Sequence, residues 1–133
     1  VEVVWSAIAH EDMSKRVYIV DDDEAVRSAL SLLIRACGWE PQAHASAESF
    51  LADDIDNGES CLLLDLDMPG MNGAELCEHL QGLHASIPVL VVTAHQDDPL
   101  ADRALAAGAL AVIPKPLDDE ALVDLVRRYL KEP

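Results

Sequence analysis

The sequence predicts an α/β fold, a single (βα)5 doubly wound parallel sheet with helices on both faces. Three observations lead there. Short apolar runs alternate with helical patterns along the whole chain, an order that implies parallel pairing through right-handed crossovers. The runs VYIV (17–20), CLLLD (61–65) and IPVLVVT (87–93) are apolar almost throughout instead of alternating, which is the pattern of strands covered on both faces. A chain of 133 residues, 50% of them hydrophobic, suits one compact domain with its own core.

Each element has local support. VYIV enters Asp21-Asp22-Asp23, after which Val26, Leu30, Leu33, Ile34 and Cys37 recur at helical spacing, with Asp23 able to cap the start and Gly38 the end. PQAHA (41–45) makes a weaker strand, and Ser46 can cap a short helix over AESFLADDI (47–55). CLLLD leads into Met68-Pro69-Gly70 and Asn72-Gly73, residues that turn a chain sharply, and then into a helix from Ala74 to His84. IPVLVVT is the fourth strand, and the fourth helix runs from Pro99 to Ala107 and ends at Gly108. AVI (111–113) reaches Lys115-Pro116, and DDEALVDLVRRYLK (118–131) is the last helix. Its side bearing Leu122, Leu125, Val126 and Tyr129 belongs to the core by default, with a dimer face there as the alternative. Residues 1–14 are expected to be a leader or tag outside the fold, 15–131 the folded domain, and 132–133 a tail from which a linker to a further domain could start.

Composition excludes several classes. A formal charge of −16, from 25 acidic against 9 basic residues, reverses the electrostatic footprint of a nucleic-acid binder. Cys37, Cys61 and Cys77 are odd in number and lack metal-ligand spacing, so free thiols in a reducing compartment are expected. No apolar run approaches the ~20 residues that cross a bilayer, and VEVVWSAIAHED has no basic n-region. The expectation is a cytoplasmic protein with no membrane segment.

Ligands of such sheets bind beyond the carboxyl ends of the strands, where strand order reverses. Strand 1 ends in Asp21-Asp22, strand 3 in Asp65 and strand 4 in Thr93, while strand 5 runs through Pro114 into Lys115. Strand 2 ends near Ala45-Ser46 and offers nothing comparable, as an outer strand in the order 2-1-3-4-5 would. Singly, each residue has a bland explanation: a helix cap for an Asp, β-propensity for Thr93, a solvated loop for Lys115. Jointly, those explanations leave the gathering of three acids, a hydroxyl and a cation on one sheet edge without a cause.

The chemistry follows from the charges. Two carboxylates about 4 Å apart at an effective dielectric near 20 repel by roughly 4 kcal/mol, so Asp21, Asp22 and Asp65 need a counter-charge. Few, oxygen-only ligands point to Mg²⁺ and not to a dedicated Ca²⁺ cage. Beside such an ion, Asp65 is a candidate nucleophile toward phosphorus. The product would carry close to −2 charge, with Thr93 donating to one oxygen and Lys115 neutralising another.

In IVDDDE, LLLDLDMPGMNG, VLVVTAH and the Lys115-Pro116 pair, in that order and spacing, the sequence resembles the receiver domain of two-component response regulators over about residues 15–131. The resemblance implies that Asp65 is the phosphoacceptor, Asp22 a direct Mg²⁺ ligand, Asp21 a ligand through water, and Asp67 a ligand through its main-chain carbonyl. It implies that Thr93 and Lys115 are the phosphate-sensing pair and that the Lys115-Pro116 peptide is cis. It also implies a histidine kinase or phosphotransfer protein as partner, and an output or dimer face at the fourth helix, fifth strand and fifth helix. The segment TAHQDDPLADRALAAGA resembles receivers that precede a helix-turn-helix domain, which is not in this chain, so control of transcription would belong to a further segment.

Two departures from the family pattern stand out. Val112 occupies the place of an aromatic that rotates on activation, and Leu117 stands where Phe is common. A β-branched side chain has little rotamer freedom, so the switch assigned to Thr93 and Val112 must work through backbone and loop shifts or be weakly coupled to output. Asp67 and His95 border the path of attacking water in the family, and both are expected to tune phosphate lifetime. Two alternatives remain: a haloacid-dehalogenase-type phosphatase, with Asp65 as nucleophile and Asp67 as general acid, and a binding-only module. Pro69 and the Asp21-Asp22 pair on strand 1 speak against the first, and the intact acidic set against the second.

Overall fold

The computed structural model describes residues 15–55 and 59–130; the expected leader, at 1–14, and the tail lie outside the described residues. Strands and helices alternate throughout: β1 (Arg16–Val20), α1 (Glu24–Ala36), β2 (Glu40–His44), α2 (Ala47–Leu51), β3 (Ser60–Asp65), α3 (Gly73–Gly82), β4 (Val89–Thr93), α4 (Pro99–Ala106), β5 (Ala111–Pro114) and α5 (Asp119–Tyr129). The five strands are parallel in the order β2-β1-β3-β4-β5. Val20 pairs with both His44 and Leu64, Asp65 with Val92, and Thr93 with Pro114, so the strands finish along one edge.

Pleating sorts the strand residues between two cores. Val17, Ile19, Leu63 and Val92 face α1 and α5, where they pack with Leu30, Ile34, Leu122 and Val126. Tyr18, Leu62, Leu64 and Val91 face α2, α3 and α4, against Phe50, Leu76 and Ala104. Tyr18 and Phe50 pack edge to face in a T-shaped contact with ring centroids 5.3 Å apart. β3 and β4 are buried from end to end, whereas β2 is half-exposed and carries Pro41, as an outer strand allows. The side chains of Leu62, Leu63 and Leu64 are each worth about 2 kcal/mol of burial, enough to anchor a strand that ends in a charge. The last helix buries Leu122 and Val126 and leaves Leu125 and Tyr129 half-buried, so that side is core. Cys61 and Cys77 are buried free thiols and Cys37 is a half-buried one.

Several element ends differ from the sequence expectation by a residue or more, and three of them have a visible cause. α2 stops at Leu51 and does not reach Ile55, because Asp53 turns back to accept from Gln42 Nε2 at 3.0 Å and to pair with His44 Nε2 at 2.9 Å. α3 stops at Gly82, short of His84, because His84 is left-handed (φ 55°) and the Ala85 N–H bonds the Leu80 carbonyl at 3.0 Å, a Schellman closure. β4 begins at Val89 and not at Ile87; Pro88 has no N–H for a ladder, though its carbonyl accepts from Leu62 N at 2.8 Å.

The turn after β3 is held at both ends. Asn72 accepts from the Glu75 N–H at 2.9 Å while the Glu75 carboxylate accepts from the Asn72 N–H at 3.0 Å, a capping box that starts α3. Gly73 then lies against the backbone of β3: a Cβ there would meet the Asp65 carbonyl oxygen at 2.7 Å and Leu66 Cα at 2.8 Å. Gly73→Ala is therefore expected to lower stability by about 2 kcal/mol, read as a lower urea midpoint at unchanged slope. Gly82→Ala, with nothing within 4 Å of the added carbon, is expected to raise that midpoint, because Ala favours a helix by up to about 1 kcal/mol over Gly.

Candidate functional site

The site is built where the strands end. Asp21 follows β1 and its N–H donates to the His44 carbonyl at 3.1 Å, fixing it in the sheet. Its carboxylate accepts from the Asp23 N–H at 2.9 Å, and Asp23 in turn caps α1 through Ala25 and Val26. Arg27 returns from α1 to donate to the Asp21 carbonyl at 2.8 Å. Asp65, the last residue of β3, accepts from the Asp67 N–H at 3.3 Å. Asp21 and Asp65 are buried, whereas Asp22 is exposed.

Asp21, Asp22 and Asp65 each bring one carboxylate oxygen to within 4.8 Å of the others. Lys115 reaches into this group from the end of β5, its ammonium 3.4 Å from both Asp21 Oδ2 and Asp65 Oδ1. Its own N–H is held by the Thr93 carbonyl at 2.9 Å, and the Lys115-Pro116 peptide is cis. A cleft of about 440 Å³ opens onto the group, with Asp67, Ala94 and His95 on its rim.

Thr93 lies apart from this cluster. It is fully buried, and its hydroxyl donates to Asp67 Oδ2 at 3.3 Å while accepting from the His95 N–H at 3.0 Å. Pleating gives the reason: Asp65 follows Cys61 and Leu63 on the α1 and α5 side, whereas Thr93 follows Val89 and Val91 on the α3 and α4 side. Val112, paired with Val91, is half-buried and packs on that same side.

Electrostatics single out Asp65. Burial and the charge of Asp21 push its carboxyl up, Lys115 and the Asp67 N–H pull it back, and the outcome is about 6 against an ordinary 3.8. For Lys115, burial pulls the ammonium down, but Asp65 and Asp21 more than offset this and hold it above its usual range. Oxygen donors alone, few in number and with one of them exposed, fit a hard divalent cation that keeps water ligands. Two contributors gave no functional signal in the sequence. Arg27 acts on Asp21 through a backbone carbonyl, and Glu48 accepts from the Met71 N–H at 3.2 Å across 23 residues, bracing the turn after β3.

Because the folded value of Asp65 lies above the ordinary one, its ionisation opposes folding at neutral pH. That penalty is relieved as pH falls from above 6 toward 3.8. In metal-free protein the Asp65 carboxyl carbon is expected to titrate near 6, followed by NMR. Lys115→Met should raise that midpoint and Asp21→Asn lower it, since the first removes an attracting charge and the second a repelling one; shifts of the opposite sign would refute this account of the cluster.

Comparison with known proteins agrees with the geometry. The model of the response regulator receiver domain family matches residues 17–127. The transcriptional regulatory protein FixJ of Rhizobium meliloti is 41% identical over 112 residues, covering 84% of this chain and 55% of that protein. The response regulator protein TodT of Pseudomonas putida is 38% identical over 120 residues, 90% of this chain and 53% of the relative. The chain thus spans about half the length of the curated relatives it matches. Among solved structures, FixJ-N superposes with a TM-score of 0.80 at 38% identity, over 91% of this chain and 97% of that one. The response regulator StyR gives 0.82 at 40% identity, over 89% and 60%. On the acidic cluster, the parallel sheet that carries it and these likenesses together, the chain belongs to the response regulator receiver domain family.

Proposed function

We propose that this chain is a phosphoryl-accepting switch in which Asp65 takes a phosphoryl group, with Mg²⁺, from the phosphohistidine of a histidine kinase or phosphotransfer protein. The observation that carries this is the convergence of three acidic oxygens within 4.8 Å and the Lys115 ammonium at 3.4 Å, open to a cleft. Asp22 would ligate the ion directly and Asp21 through water, with Asp65 and the Asp67 main-chain carbonyl completing the set. When bound, Mg²⁺ supplies positive charge that offsets the carboxylate repulsion and the charge on the phosphoryl oxygens.

The protein's own groups do the rest. An Asp65 oxygen forms its bond to phosphorus as the bond from phosphorus to the donor imidazole nitrogen breaks, and the electron pair leaves with the imidazole. The acyl phosphate carries close to −2 charge. Lys115 neutralises one oxygen, and the Thr93 hydroxyl donates to another. Water attack on phosphorus breaks the bond to the Asp65 oxygen, releasing inorganic phosphate and restoring the carboxylate, and Asp67 and His95, which line the cleft, set how readily that water is positioned.

FixJ is a transcriptional regulatory protein and TodT a response regulator. We therefore place the output in a DNA-binding domain outside this chain, in a cytoplasmic protein, with the face of α4, β5 and α5 as the reading and dimer surface. Among the described residues no helix is long and apolar enough to cross a membrane. A phosphatase of the haloacid-dehalogenase type is not favoured, since Asp65 sits on β3 and a second acidic pair follows β1.

Incubation with acetyl phosphate and Mg²⁺, read by intact mass, is expected to add one phosphoryl group to the wild type and none to Asp65→Asn. Asp22→Ala should slow loading by about a hundredfold, the scale on which metal-site substitutions act. A folded wild type that takes up nothing from several donors would overturn the reading. Asp67→Ala and His95→Ala are expected to change the first-order loss of phosphate by about tenfold, less than the hundredfold or more of a full general acid or base because they only orient the water; unchanged rates would remove both from the lifetime role.

A further inference from the structure

Both donors assigned to the phosphoryl group are already engaged in the resting molecule. Lys115 holds Asp21 and Asp65, and the Thr93 hydroxyl donates to Asp67 Oδ2 at 3.3 Å. A threonine hydroxyl has a single proton. It can donate to Asp67 or to an oxygen on Asp65, and the two bonds exclude each other. At 3.3 Å the bond is longer than the 2.5–3.0 Å usual for O–H···O, so a phosphoryl oxygen is the stronger competitor.

Thr93 is also the first link of a route out of the site. Its Oγ1 accepts from the His95 N–H at 3.0 Å, and the His95 carbonyl accepts from the Asp98 N–H at 3.1 Å. Asp98 is the N-cap of α4: its carboxylate accepts from the Leu100 N–H at 2.9 Å and its carbonyl from the Ala101 N–H at 2.9 Å. These bonds connect Asp67 to the first turn of α4 without an aromatic ring. Val112, half-buried beneath the same helix layer, has no ring to turn and a stiff χ1.

We propose that the Asp67 side chain is a resting-state latch on Thr93, and that release of this latch is read at the start of α4 through His95 and Asp98. The proposal rests on Asp65 being the phosphoacceptor, since loading Asp65 is what draws the hydroxyl away. When Oγ1 turns toward Asp65 it leaves the His95 N–H, and the His95–Asp98 turn that caps α4 loses its fixed end. Asp67 is a positioning residue here, because it acts through Thr93.

Amide hydrogen exchange tests the latch without any phosphoryl group. In resting protein, Asp67→Ala is expected to speed exchange at His95 and Leu100 by about fivefold, the factor that loss of one ordinary hydrogen bond gives. Amides in the middle of β3 should be unchanged. Asp67→Asn removes the charge but keeps an acceptor oxygen, so its exchange should stay near wild type. Exchange at His95 and Leu100 that is unaltered in Asp67→Ala, or raised equally in Asp67→Asn, would overturn the latch. Beryllium fluoride with Mg²⁺, a stand-in for the phosphoryl group, should speed the same two amides in wild type and add little in Asp67→Ala; an equal increment in both would also overturn it. A wild type that takes up no beryllium fluoride would count against the phosphoacceptor reading, and the resting comparison would still decide the latch.

Discussion

Mutual repulsion among Asp21, Asp22 and Asp65 is the constraint around which the molecule is arranged. Carboxylate oxygens gathered within 4.8 Å oppose their own assembly, and they stay together because the sheet gives them no alternative place. Leu62, Leu63 and Leu64 fix β3 from both faces, Asp21 is pinned by the His44 carbonyl and by Arg27, and Gly73 lets α3 lie directly on the Asp65 backbone. Lys115 relieves part of the repulsion and leaves Asp65 with a carboxyl of about 6. A buried scaffold thus holds a charged group in a state that binding of a cation would relax.

The remaining contacts are graded by how far they stand from that cluster. Lys115 touches it directly. Asp67 touches it by a main-chain N–H while its side chain faces Thr93, so one residue contacts both Asp65 and the buried hydroxyl. Glu48 is a further step away and acts only on the turn that carries Asp67.

Much of this was legible in the sequence, for physical reasons that can be named. Strands buried on both faces write themselves as unbroken apolar runs, and a charge at the end of such a run has to lie at the sheet edge, so Asp21, Asp65 and Lys115 could be assembled before any coordinates. The caps at Asp23 and Ser46 follow from side-chain reach over a few residues. Contacts that couple distant segments left no trace. The halt of α2 at Leu51 depends on His44 and Gln42 in a neighbouring strand, and the left-handed His84 sits where a glycine would have signalled the end of α3. The side of the sheet on which Thr93 falls was implicit in the two-residue pleat. The identity of its partner, Asp67, needed the turn after β3 to be built.

That pleat has a spatial consequence. Asp65 and Lys115 continue the side covered by α1 and α5, whereas Thr93 and Val112 continue the side covered by α3 and α4. Asp65 and Thr93 thus leave the sheet edge on opposite sides, and Asp67, in the turn after β3, touches both. A substitution in that turn is therefore placed to disturb both sides of the sheet at once, whereas one in α1 or α4 meets a single side.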